Sequence, residues 1–162
     1  MTNQRDLTKN IIADFAEAYS SFGLNPLMGR IVSLLIISKE PQSLDDIAES
    51  LEMSKGPISQ ICRRLKDRSL IEKVWVPGDR KDYYKATDDI FGRAYENQME
   101  KMRKNIEIAQ RYSEETSSIK NDAARHAHAR MKEMKRFYEM MDQHNKDFLE
   151  SWREVHEKEF KE

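Results

Sequence analysis

The sequence predicts a mainly α-helical protein in which a helix-turn-helix and a β-hairpin are followed by long terminal helices. Three observations carry this. Two short amphipathic segments, 44–51 and 54–67, are separated by a tight turn; Ser43 before the first and Ser54 at the start of the second are suited to capping a helix. A run rich in β-branched and aromatic residues, 71–77, follows at once and returns over 83–86. All five glycines and four prolines lie before residue 93, so the rest can run as uninterrupted helix.

Taken in order, residues 6–22 form an amphipathic helix through Leu7, Ile11, Ile12, Phe15, Ala18, Tyr19 and Phe22, and Gly23 ends it. Asn25 caps a second helix, 26–37, with Pro26 at its first position; apolar on most sides, it is expected at the centre of the core. Residues 39–41 read as a loop, and Ser43 caps the third helix. Glu52-Met53-Ser54 turns the chain into the fourth, whose buried stripe is Ile58, Ile61, Cys62 and Leu65. The hairpin strands are 71–77 and 83–86, joined by a turn that carries Arg80 and Lys81. Helix, helix, hairpin is the winged-helix order.

From Asp88 onward the chain reads as helix: one segment to about residue 113, a bend over 114–118 recapped by Ser or Thr, and a last helix over 119–159. Ala127, Met131, Met134, Tyr138, Met141, Asn145, Phe148, Trp152 and Val155 alternate spacings of four and three along it, a seam of heptads. The expected division is a winged helix-turn-helix domain over 1–88 and a helical dimerisation region over 89–162, with helix 6–22 also packing on the dimerisation helices.

Composition narrows the function. Of 162 residues 38% are hydrophobic and 35% charged, which suits a small core with long half-solvated helices. Net charge is only −1, yet residues 53–85 hold nine Lys or Arg against four acids. Such local concentration is expected of a DNA-reading module on an acidic body; a solvated mixed surface is the plainer alternative. One cysteine excludes an intrachain disulfide. The polar N-terminus lacks the apolar core of a secretion signal, and the longest apolar run, 31–37, is too short to span a membrane, so a soluble cytoplasmic protein without membrane partners is expected.

Projected at about 100° per residue, the fourth helix divides cleanly. Ile58, Ile61, Cys62 and Leu65 centre on one side; Gly56, Gln60, Arg63 and Asp67 lie opposite, flanked by Pro57, Ser59 and Arg64. A helix seated in the major groove of double-stranded DNA needs this division. Arg63 can grip a guanine edge and Gln60 an adenine edge with paired hydrogen bonds. Gly56 permits close approach to phosphates, the N–H groups near Ser54 and Lys55 suit an anion, and Ser54 and Ser59 can donate to phosphates. At the hairpin tip Arg80 and Lys81 are placed to reach a minor groove or its phosphates; a salt bridge from Arg80 to Asp79 or Asp82 is the alternative.

These pieces together resemble the MarR superfamily of winged-helix regulators, the GbsR-type branch in particular. The resemblance spans residues 22–86. It is carried by Gly23-Leu24-Asn25-Pro26-Leu27-Met28-Gly29-Arg30, Met53-Ser54-Lys55-Gly56, Ser59 and Gly78-Asp79-Arg80-Lys81. It implies a homodimer held by the terminal helices and reading a two-fold-related operator. It also implies repression relieved by a small-molecule effector, for this branch choline-like or osmoprotectant-related.

Two recognition helices must be held about 34–36 Å apart to read successive major-groove faces. The dimer interface is therefore expected on the last helix at Met131, Met134, Tyr138, Met141, Phe148 and Trp152. Asn145 either fixes register in this seam or is exposed where the seam splays. Tyr95, Tyr112 and Trp152 are candidates to hold a quaternary ammonium through cation–π attraction, with plain packing as the alternative. His126 and His128 are spaced poorly for a metal, and Cys62 reads as a packed thiol. No phosphate loop, nucleophile motif or metal-binding spacing appears, so no cofactor, metal or enzyme activity is expected. A ligand-independent DNA-binding protein and a partner-docking scaffold are the competing readings.

Overall fold

The computed structural model describes residues 4–161. Residues 1–3, read above within the polar N-terminus, and residue 162 lie outside the described residues. The chain divides into two compact units, Met1–Ile90 and Phe91–Glu162. Ile90 is buried in the core of the first unit.

In the first unit α1 (Gln4–Ser21) and α2 (Pro26–Ile37) form an antiparallel pair. Gly23, at φ 69°, reverses the chain between them in the left-handed region that favours glycine. The Asn25 side chain accepts from the Leu27 amide at 2.9 Å and Pro26 opens α2. A Cβ on Gly29 would collide with the Phe15 carbonyl, so this glycine lets the two backbones close on each other. Within this unit α1 spends its apolar face on α2, through Ile12, Phe15 and Tyr19. Leu27, Met28, Ile31, Val32, Leu34 and Leu35 make α2 the centre of the core.

A two-residue strand, β1 (Gln42–Ser43), which the sequence reading did not include, follows the expected loop over 39–41. It pairs with β3 (Tyr83–Ala86), which also pairs with β2 (Ile71–Val74), giving an antiparallel sheet of order β1-β3-β2. Two residues carry no readable alternation, and Ser43 serves both as a strand residue and as cap of α3 (Leu44–Ser50). That cap is reciprocal: the Asp46 amide donates to Ser43 Oγ at 3.2 Å, and the Ser43 amide donates to Asp46 at 2.8 Å. β2 is shorter than the expected 71–77. Pairing ends at Val74 opposite Tyr83, and Trp75 stands 76% exposed. Strand propensity is realised only where a partner and a buried face exist, and 75–77 have neither.

The second unit is an antiparallel helical hairpin of α5 (Ile90–Ser117) and α6 (Asp122–Glu159). Cross-contacts run from Tyr95–Asn145 through Arg103–Asp142 to Ser113–His128. The bend expected over 114–118 is mostly helix. Thr116 and Ser117 hydroxyls donate back to the Tyr112 and Glu114 carbonyls at 2.6 and 2.7 Å, an arrangement compatible with helix. The cap of α6 is Asn121, accepting from the Ala124 amide at 2.7 Å, in place of the expected Ser or Thr.

Asn145 is buried within the hairpin, where the Tyr95 hydroxyl donates to its Oδ1 at 2.7 Å and the Tyr95 ring meets Phe148 edge-on at 5.0 Å. Among the described residues, the hydrophobic side chains buried in this unit are Ala109, Ala124 and Leu149.

Candidate nucleic-acid interface

The surface is built around α4 (Lys55–Asp67). Ile58, Ile61, Cys62 and Leu65 are buried, anchoring the helix on α2 and α3. Gly56, Gln60, Arg63 and Arg64 are exposed on the remaining surface, with Ser59 half-buried. Ser54 has the extended backbone of an N-cap, but its side chain makes no capping bond. A Cβ on Gly56 would meet nothing within 4 Å, so nothing inside the unit requires this glycine, in contrast to Gly29. Lys55 and Gly56 both weaken a helix start, the one by opposing the helix dipole and the other by entropy.

The hairpin carries the remaining predicted residues. Arg63, Arg64 and Arg80 form no ion pair among the described residues, so Arg80 is not bridged to Asp79 or Asp82. Lys81 instead reaches across to Asp45 in the first turn of α3 at 3.5 Å, and Lys55 pairs with the other oxygen of the same carboxylate. Lys73 is paired with Asp82 at 2.6 Å and Lys85 with Glu72 at 2.9 Å. Asp79 organises the tip, accepting from the Lys81 amide and from the Tyr83 hydroxyl, both at 2.9 Å.

These contacts shift acidities in the expected directions. The hydrogen bond from Lys55, aided by Lys81, lowers the Asp45 carboxyl below the ordinary range. The Lys81 amide and then Tyr83 lower Asp79, and the same bond raises Tyr83. Burial pushes the Cys62 thiol up to about 11, which keeps it protonated and unreactive at neutral pH.

Two residues that hold this surface escaped the sequence reading of site residues. Arg30 donates to the Leu51 carbonyl at 2.8 Å and contacts Met53 Sδ at 3.3 Å, bracing the turn where Glu52 takes φ 52°. Asp45 lies outside the basic stretch, and only the fold brings it between Lys55 and Lys81. The one available signal for Arg30 was a guanidinium on an otherwise apolar helix, which needs a polar partner.

In the second unit Met131, Met134, Tyr138, Met141 and Trp152 are half-buried, and Phe148 is exposed. A cavity of about 10 Å³ between the helices touches Met99, Tyr138 and Asn145, far too small for an organic ligand. Phe137 and Met140 are 61% and 58% exposed on α6, and Val155 is exposed as well. The three aromatics considered for a ligand are not gathered together. Tyr95 is engaged by Asn145 and Phe148, Trp152 packs with His156 and Phe160, and Tyr112 lies under Arg111 with the guanidinium 4.7 Å from its ring. Seventeen residues of continuous α5 put Tyr112 about 25 Å from Tyr95.

Among the described residues no cluster of His, Cys, Asp or Glu is arranged to hold a metal ion, and no helix is long and apolar enough to cross a membrane. His128 Nδ1 lies 2.8 Å from the Ser113 carbonyl, a hairpin contact in which the ring N–H donates.

With this architecture in view, a mainly helical chain with a three-stranded sheet and an outward-facing α4 is a winged helix-turn-helix protein. Comparison with known proteins agrees. The chain is 31% identical over 83 residues to the HTH-type transcriptional repressor OpcR of Bacillus subtilis (strain 168), a match covering 51% of this chain and 45% of that protein. It is 30% identical over 87 residues to the HTH-type transcriptional repressor GbsR of the same organism, covering 54% and 46%. The matched region thus spans about half the length of these curated relatives. No protein-family profile matches the chain. A crystal structure described as a transcriptional regulator superposes with a TM-score of 0.74 over 91% of this chain and 98% of the other at 23% identity, a likeness of fold. Its homologues are therefore helix-turn-helix transcriptional regulators, GbsR among them, as the motifs of residues 22–86 implied; theirs is a non-enzymatic role.

Proposed function

We propose that the protein is a cytoplasmic, sequence-specific regulator of transcription that binds double-stranded DNA as a homodimer and represses from a two-fold-related operator. The observation that carries this reading is the division of α4. Four apolar side chains are buried, while Gln60, Arg63 and Arg64 face outward with both arginines uncommitted to any ion pair among the described residues. Gly56 and the Arg80 tip, which lies beside the start of that helix, support contacts to the DNA backbone.

Arg63→Ala is expected to cost about 1–3 kcal/mol in operator binding and to relax sequence preference. Lys81→Ala is expected to weaken binding to all duplexes alike and to flatten the salt dependence. Fluorescence anisotropy on selected and random duplexes across a salt series measures both. Equal loss of discrimination from the two variants overturns the assignment.

The homodimer reading rests on apolar side chains that the hairpin leaves exposed. Phe137, Met140, Phe148 and Val155 recur along α6 beside the half-buried Met131, Met134, Tyr138, Met141 and Trp152. In this reading α1 also contributes to the dimer helices. Sedimentation at micromolar concentration tests it, and a monomer rejects it.

For regulation the first reading is release by a small molecule of quaternary ammonium or osmoprotectant type, held by Tyr95, Tyr112 or Trp152. A second reading, a ligand-independent regulator or partner-docking scaffold, is favoured by a specific observation: the three rings are separated within the protomer, and Tyr95 and Trp152 already have packing partners. Operator release by millimolar choline or betaine decides between them.

A further inference from the structure

A cleft runs between the start of α4 and the wing tip. Lys55, Arg80 and Lys81 line it together with Asp45 and Asp82. Asp82 is engaged by Lys73 at 2.6 Å. Asp45 sits between the two lysines with one oxygen on each, the Lys81 contact at 3.5 Å. Its place is fixed from below, since α3 is anchored by buried Ile47 and Ala48 and opened by the Ser43–Asp46 box. A carboxylate in a first helical turn is also favoured by the helix dipole.

We propose that Asp45 sets DNA selectivity at this surface: it is an internal counter-ion that holds, between Lys55 and Lys81, the place taken by a backbone phosphate in the complex. The inference rests on the DNA-binding reading above and adds to it a role for an acid. Phosphates are common to every duplex, so two uncommitted lysines would raise affinity for all sequences equally. An acid between them withholds both cations and repels the approaching backbone. A duplex that also satisfies Gln60 and Arg63 is seated closely enough for its phosphate to displace the carboxylate, whereas a loosely seated random duplex displaces it only in part, so the penalty falls mainly on random sequence. Selectivity here comes from a repulsive element as well as attractive ones.

The arrangement also accounts for Lys55. A cation in the first turn of α4 opposes the helix dipole, so the lysine does not serve the helix. It is tolerated beside Asp45 and becomes useful when an anion replaces the carboxylate. The two ion pairs are half-exposed and individually weak, so a polyanion can displace them.

The test compares the full-length wild type with Asp45→Asn and Asp45→Glu. Each is titrated with a duplex selected from a random pool and with random-sequence duplex, from low to physiological salt. Asp45→Asn is expected to bind random duplex about three- to tenfold more tightly at low salt. Its plot of log affinity against log salt should steepen by about one to two, as two more cations meet phosphates. The selected duplex should gain less, so the ratio of affinities falls, while Asp45→Glu keeps wild-type selectivity. If Asp45→Asn melts early, Asp45→Ser, which also suits a first helical turn, replaces it. Weaker or unchanged binding to both duplexes with an unchanged salt slope overturns the proposal and leaves Asp45 a strut. Failure of the wild type to bind any duplex is a different result and removes the DNA-binding reading itself.

Discussion

The two units solve burial in opposite ways. In the first, residues from α1 to Ile90 converge on one continuous core, and Ile31, Ile47, Ile58, Leu65 and Ile71 are almost wholly removed from water. In the second, two long helices share a thin seam in which, among the described residues, the buried hydrophobics are Ala109, Ala124 and Leu149, supplemented by a part-buried Tyr95–Asn145 hydrogen bond. Phe137, Met140, Phe148 and Val155 remain exposed there. The contrast teaches where rigidity comes from. A presenting helix such as α4 has to be held on several sides so that its outer face keeps one geometry. A helical hairpin has only one partner per helix and leaves apolar surface over for another.

Three substitutions probe this contrast, the largest effect first and the other two comparable. Ile47→Ala opens a cavity in a core that cannot close around it, and about 2–5 kcal/mol of stability should be lost. Leu149→Ala sits in a two-helix seam that can relax and should fall at or below the lower end of that range. Chemical denaturation of both variants gives the comparison, and a larger loss at Leu149 would reverse the account of the two units. Asn145→Ala leaves the Tyr95 hydroxyl without its acceptor and should cost about 1–3 kcal/mol. If the bond serves register more than stability, Asn145→Leu should recover most of that loss while helical content stays unchanged by circular dichroism.

The smallest effect is electrostatic. Lys146 and Arg103 lower the Asp142 carboxyl below its ordinary range. Its contribution is therefore present above the unfolded carboxyl value, near pH 4, and is lost as pH falls through the still lower folded value. Asp142→Asn should remove at most about 1 kcal/mol at pH 7, and the gap to wild type should narrow below pH 4. A gap that widens on acidification contradicts the assignment.

Much of the first unit is legible from residue patterns because each signal is local. Asn25-Pro26 dictates a helix start through backbone geometry, and the three–four spacing of Ile58, Ile61, Cys62 and Leu65 dictates which side of α4 is buried. By elimination the same spacing exposes Gln60 and Arg63. The errors lie where two local signals compete. Trp75 and Val76 have strand propensity but no partner strand, and Thr116 and Ser117 read as caps although their hydroxyls bond back into the helix they follow. Along α6 the seam positions from Ala127 to Asn145 are half-buried or buried, while Phe148 and Val155 are exposed and the buried Ala124 and Leu149 lie off the seam. Asn145 shows the limit: periodicity says that it faces a neighbour, and only the packed hairpin shows that this neighbour includes Tyr95 of the same chain.

What the sequence determined alone is the order of the helices and the hairpin, their amphipathic faces and the cationic character of the stretch after residue 53, because these depend on residues within one or two turns of each other. What only the tertiary structure decided is which charges meet. Asp45, Lys55 and Lys81 come from a short helix, the next helix and a hairpin tip, and Arg30 reaches the Leu51 carbonyl from α2. Coulombic and hydrogen-bond energies depend on distance in space, and for residues this far apart in the chain that distance is set by how the core packs.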